Sequence, residues 1–195
     1  MIDINNYNIL NNNLSTLKET SKDNHNGEEV YMTESELPAV NFDDVKDVYI
    51  SRLTVNEVPK SVDALFFDNK EDTITFIEFK NGYMKDKKVF DVRLKVFDSL
   101  LIFLDIVGKT IDYSRKHFDF ILVYNKVKNV DNLCIGDEIQ PSVSRTDISK
   151  ILLEKRAKVK FIQFGLTRFE KLYFKEVYTY NEEEFETKFV ADCAR

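Results

Sequence analysis

The stretch SVDALFFDNKEDTITFIEFKNG, residues 61–82, contains two β-branched and aromatic runs, 62–67 and 73–80, separated by Asp68-Asn69-Lys70-Glu71-Asp72. This is the pattern of two antiparallel strands joined by a polar turn. Side chains alternate along a strand, so Ile74, Phe76, Glu78 and Lys80 share one face while Thr75, Ile77 and Phe79 share the other. Glu78 and Lys80 therefore stand side by side at the end of an otherwise apolar strand. Burial of such charges is costly unless they pair or bind something. Asp63 poses the same problem on the preceding strand, among Val62, Ala64, Leu65, Phe66 and Phe67.

Beyond Gly82 the period changes. Phe90, Leu94, Phe97, Leu101 and Leu104 recur at helical spacing, and Val89, Val92, Val96, Leu100, Phe103 and Val107 widen the apolar face, which predicts a long, largely buried helix. Gly108 is placed to cap it. FDFILVY, residues 118–124, reads as a strand covered on both faces. Upstream, Ile4, Tyr7, Leu10, Leu14 and Leu17 predict an amphipathic helix over 2–20, and 45–54 predicts a first strand. Downstream, 125–145 reads as a long connection, followed by a helix from Thr146 or Asp147 to 157, a strand over 159–164, a strand over 172–180 and a short helix over 182–190. The expected fold is α/β, a mixed central β-sheet flanked by helices, in one domain spanning 1–195. A helical extension occupies about 1–29 and a strand-helix tail about 168–195.

The 195 residues are 32% charged and 43% hydrophobic, the composition of a globular protein rather than a disordered one. The N-terminus lacks the basic start and apolar core of a secretory leader, and the most apolar segment, 96–107, is too short and too interrupted to span a membrane. A cytoplasmic location with no membrane partner is expected. Cys134, Cys193, His25 and His117 show no zinc spacing, so any metal must be held by oxygen. The net charge of −6 is unevenly spread. Residues 1–80 carry 16 acids against 7 bases. Lys85, Lys87, Lys88, Arg93 and Lys95 then crowd the start of the long helix, and Lys150, Lys155, Arg156, Lys158 and Lys160 form a second basic cluster.

With Val62-Asp63 on the second strand, Glu78-Phe79-Lys80 closing the third, and a long helix and a further strand after them, residues 45–125 resemble the PD-(D/E)xK nuclease superfamily, which has the restriction-endonuclease-like fold. Val62 stands where the family pattern has proline. Acid-x-Lys also occurs at 44–46, 68–70, 86–88 and 186–188, but only 78–80 closes an apolar strand with an Asp on the strand before it. The resemblance implies an αβββαβ core and a Mg²⁺-dependent nuclease, with Mn²⁺ able to substitute, acting on DNA ahead of RNA in phage defence, mobile-element or repair biology. Asp63, Glu78 and Lys80 would be catalytic, with Asp63, Glu78 and the Phe79 backbone carbonyl as metal ligands. That division suits Mg²⁺, which is held by one or two carboxylates together with substrate phosphate. Lys85, Lys87, Lys88 and Arg93 would contact nucleic acid. A Glu from the first helix often completes such sites, and Glu19, Glu34 and Glu36 are the candidates. A homodimer or a partner subunit is compatible with this reading. The alternative is a non-catalytic interaction module on the same scaffold, a subunit, inhibitor or regulator whose acidic N-terminal part meets a basic protein or mimics nucleic acid.

Overall fold

The computed structural model describes residues 2–25, 28–130 and 162–193. In chain order the elements begin with a 3₁₀ turn at Ile4–Asn6 and the short helix α1 (Asn8–Asn11), then β1 (Leu14–Thr16) and α2 (Leu17–Thr20). The hairpin strands β2 (Lys22–His25) and β3 (Glu28–Tyr31) follow, then β4 (Pro38–Asn41) and α3 (Phe42–Ile50). Next come β5 (Ala64–Asp68), β6 (Thr73–Lys80), α4 (Asp86–Val107), α5 (Ile111–His117) and β7 (Phe118–Tyr124). After the 3₁₀ turns Val127–Asn129 and Thr167–Phe169, β8 (Glu176–Asn181) leads into α6 (Glu182–Phe185), which continues through a π-helical stretch, Glu186–Val190, to a last turn at Ala191–Cys193.

Six strands form one mixed sheet in the order β1-β4-β5-β6-β7-β8, and β2 and β3 pair separately. β1, β4, β5 and β6 pair antiparallel in succession, whereas β6, β7 and β8 run parallel to one another. The polar pentapeptide turns the β5–β6 hairpin as its sequence predicts. Asp68 Oδ1 accepts the amides of Lys70 (2.8 Å) and Glu71 (3.2 Å), the geometry that suits Asp to a turn. Asp72 completes the reversal with φ 49°.

The alternation along β6 divides its side chains between two cores. Ile74 and Phe76 join the face that packs on α4 through Val92, Val96, Leu100, Phe103 and Val107. Ile77 and Phe79 join the opposite face, with Leu17 and with Phe185 of α6. Phe76 is central to the first core, its ring 5.4–6.3 Å from those of Phe42, Phe103, Phe118 and Phe174, mostly in tilted or edge-on geometry. As expected for a central strand, β7 is buried at every position but Asp119.

Three expectations are corrected. Residues 2–20 do not form one helix: α1, β1 and α2 break it, and Leu14, which the helical period would bury, is 55% exposed. Residues 45–54 do not form the first strand. Pro38–Asn41 is the strand, and Asn41 then caps a helix, its Oδ1 accepting the amides of Asp43 (3.1 Å) and Asp44 (3.4 Å). The strand expected over 172–180 begins only at Glu176. By contrast α4 ends where Gly108 predicted, with φ 61° at that residue. The helix expected over 146–157, most of the strand expected over 159–164 and the basic cluster 150–160 lie outside the described residues. Among the described residues no helix is long and apolar enough to cross a membrane.

Candidate active site

Glu78 is carried to one end of the sheet by β6, on the face that α4 covers, and its side chain is completely buried. Asp63 precedes β5 and is locked in place through its backbone. Its amide donates to Ile77 O and its carbonyl accepts from Phe42 N, each at 3.1 Å. Its carboxylate also spans the hairpin, Oδ2 accepting the Phe79 amide at 2.6 Å. The hairpin thus joins the two carboxylates that the sequence placed on neighbouring strands. Lys80, two residues beyond Glu78 on the same face, ion-pairs with Glu78 Oε1.

A fourth charged residue completes the cluster. Lys95 of α4 extends its ammonium between the two acids, 3.0 Å from Asp63 Oδ1, 2.8 Å from Glu78 Oε1 and 3.0 Å from Glu78 Oε2. The reason lies in how α4 docks. Asp98 Oδ2 accepts the Lys60 amide and Ser99 Oγ the Val62 amide, each at 2.8 Å, so the segment before Asp63 is tied to the turn of α4 just after Lys95. In the sequence, Lys95 is simply the last member of a basic run. Its spacing does not set it apart from that run; the packing that buries Val92, Val96 and Ser99 around it turns it inward.

Burial, and then the charge of Asp63, push the Glu78 carboxyl up to about 7, against the opposing pull of Lys80 and Lys95. Burial acts to lower Lys95, but Glu78 and Asp63 outweigh it and hold its ammonium above the ordinary lysine range. Glu78 Oε1 is buried and ion-pairs with the ammoniums of both Lys80 and Lys95.

A cleft of about 200 Å³ opens over this cluster, lined among others by Ser21, Lys22, Asp63, Phe79, Lys80 and Lys88. One wall is therefore the start of the β2–β3 hairpin and another the approach to α4. Glu78 lies behind Asp63 and Lys80 rather than on the cleft surface.

The basic residues expected to meet nucleic acid have different surroundings. Lys88 lines the cleft, and its ammonium lies so close over Gly82 that a Cβ there would collide with it. Lys85 sits over the ring of Tyr83, 5.5 Å from its centroid. Lys87 is exposed on the first turn of α4. Arg93 points elsewhere, donating to the carbonyls of Gly165 (3.2 Å) and Phe164 (3.5 Å). Among the described residues no group of three or more His, Cys, Asp or Glu side chains could hold a metal, so none of Glu19, Glu34 or Glu36 joins Asp63 and Glu78. Glu34 and Glu36 instead face Lys18, at 2.7 and 4.0 Å.

No family model, no curated protein and no solved structure matches the chain. Two carboxylates, each ion-paired with a lysine, offer oxygen ligands of the kind that a hard divalent cation keeping most of its waters takes up. Ammonium groups beside them are suited to a phosphate or to the carboxylates themselves.

Proposed function

We propose that the chain is a divalent-metal-dependent nuclease with a restriction-endonuclease-like core, hydrolysing phosphodiester bonds of DNA ahead of RNA. The observation that carries this reading is the convergence of Asp63, Glu78 and Lys80 beneath one polar cleft at the end of β6. The topology supports it. β4, β5 and β6 form an antiparallel meander, and β7 follows after α4, parallel to β6, as an αβββαβ core requires.

In this reading Asp63 and Glu78 hold Mg²⁺ or Mn²⁺, with the Phe79 backbone carbonyl beside them. When bound, the ion would polarise a phosphoryl oxygen and acidify a water at neutral pH. The ammonium of Lys80, at the edge of the cleft, offsets the negative charge that grows on the phosphate as it is attacked. Lys88, whose ammonium lies over Gly82 at the cleft, holds a neighbouring backbone phosphate, and the buried position of Glu78 keeps bulk water from the inner side of the site.

The alternative, a non-catalytic interaction module on the same scaffold, is favoured by one observation: both carboxylates already have internal cationic partners in Lys80 and Lys95. A cleavage panel separates the two readings. Single- and double-stranded DNA and RNA are incubated with Mn²⁺ or Mg²⁺, comparing the unaltered chain with Glu78→Gln and Lys80→Met. The nuclease reading predicts cleavage that chelation and either substitution abolish. A folded protein that cleaves none of the substrates with either ion leaves the interaction module as the better account.

A further inference from the structure

Lys95 is the most buried lysine of the cluster's surroundings that the chemistry above does not use, and it occupies a telling position. Its ammonium touches three carboxylate oxygens drawn from both acids, whereas Lys80 touches Glu78 alone. The Asp63 carboxylate cannot turn away, because the Phe79 amide holds Oδ2 and so directs Oδ1 at Lys95. We propose that Lys95 is a tethered cation occupying the interval between Asp63 and Glu78, and that a divalent ion enters only by displacing its ammonium. The proposal rests on the metal-dependent reading and adds to it a gate on metal entry.

A Mg²⁺ ion binds carboxylate oxygens at about 2.0–2.1 Å, so an ion shared by Asp63 Oδ1 and Glu78 would sit in the gap that the Lys95 ammonium now fills. Two cations in that gap repel strongly where water is largely excluded. Withdrawal of α4 as a whole is opposed by its ties to the 60–62 segment through Asp98 and Ser99. Displacement therefore falls to the lysine side chain, which is long, flexible and already 20% exposed. The same ammonium offsets part of the repulsion between the two carboxylates at close quarters. Lys95 thus acts as a positioning residue, preserving the site's geometry until the ion arrives.

Two measurements test this. Calorimetric Mn²⁺ titration compares the unaltered chain with Lys95→Gln and Lys80→Gln. Lys95→Gln is expected to bind Mn²⁺ at least about tenfold more tightly, and by a larger factor than Lys80→Gln, which removes a positive charge without vacating the gap. The second measurement needs no variant. Lysine acetylation read by mass spectrometry is expected to find Lys95 protected without metal and several-fold more reactive at saturating Mn²⁺, with the exposed Lys116 as an unchanging reference. An affinity of Lys95→Gln no tighter than that of the unaltered chain, or Lys95 labelling that Mn²⁺ leaves unchanged, overturns the gate while leaving the metal site standing. Absence of Mn²⁺ binding in the folded unaltered chain and in both variants overturns the metal-dependent reading itself. Should Lys95→Gln fail to fold, the labelling result decides alone.

Discussion

Glu78 is the one charged residue among the described residues that is fully buried, and its environment has a measurable consequence. Its carboxyl, ordinarily near 4.5, is pushed up to about 7 by burial and by Asp63. The native state therefore holds this proton more tightly than the unfolded chain does. The stabilisation is fully present below about pH 4.5 and is lost as pH rises through about 7, an effect of about 3 kcal/mol. Urea unfolding of the unaltered chain and of Glu78→Gln between about pH 5 and 8 is expected to reveal it. The unaltered chain should lose stability relative to the variant as pH rises, and a difference that stays flat would contradict the assignment. That Asp63, Glu78 and Lys80 lie together was legible from the sequence because a period-two strand fixes which residues share a face, and an acid-x-Lys triplet at the end of an apolar strand is conspicuous. Lys95 was not legible. A lysine that ends a basic run ordinarily faces solvent, and only the docking of α4 on the 60–62 segment turns it inward.

At the scale of elements, residues 41–50 show how local chemistry overrides composition. Val45, Val48, Tyr49 and Ile50 are strand formers by propensity, which is why the sequence reads as a strand there. Asn41, with Asp43 and Asp44 in the first turn, caps and orients a helix instead. Asn41→Ala should cost about 1 kcal/mol in denaturant unfolding with the fold retained, and an unchanged midpoint would show that the cap contributes nothing. The N-terminal segment was misread for a related reason. Its apolar residues recur at helical spacing, but Asn11-Asn12-Asn13 favours turns, and the chain there enters the sheet as β1. The hairpin, α4 and β7 were readable because each has a long, unambiguous period and, at Asp68 and Gly108, a residue suited to ending it.

For the whole molecule, the sheet sets where function can lie. The site sits at one end, where β6 finishes and β5 begins, with the cleft framed by the β2–β3 hairpin and the start of α4. The strand order that puts β6 at the centre, antiparallel to β5 and parallel to β7, was only partly legible, because a sequence period gives a strand's faces and not its neighbours. The cleft also ranks the basic residues by their surroundings. On the nuclease reading, Lys88→Ala should weaken nucleic-acid binding several-fold and reduce its salt dependence, since a cation lining the cleft is lost. Arg93→Ala should lower stability while leaving affinity nearly unchanged, because its guanidinium holds the carbonyls of Phe164 and Gly165. Fluorescence anisotropy with a labelled duplex, beside thermal unfolding, separates these effects, and equal losses of affinity in the two variants would contradict the ranking. The most direct test of the central claim is a crystal soaked in Mn²⁺ and measured at a wavelength where manganese scatters anomalously. The account predicts one strong anomalous peak within coordination distance of both Asp63 and Glu78, with the Lys95 ammonium withdrawn from between them. Crystals that take up no manganese there and keep Lys95 bridging the two carboxylates would contradict it.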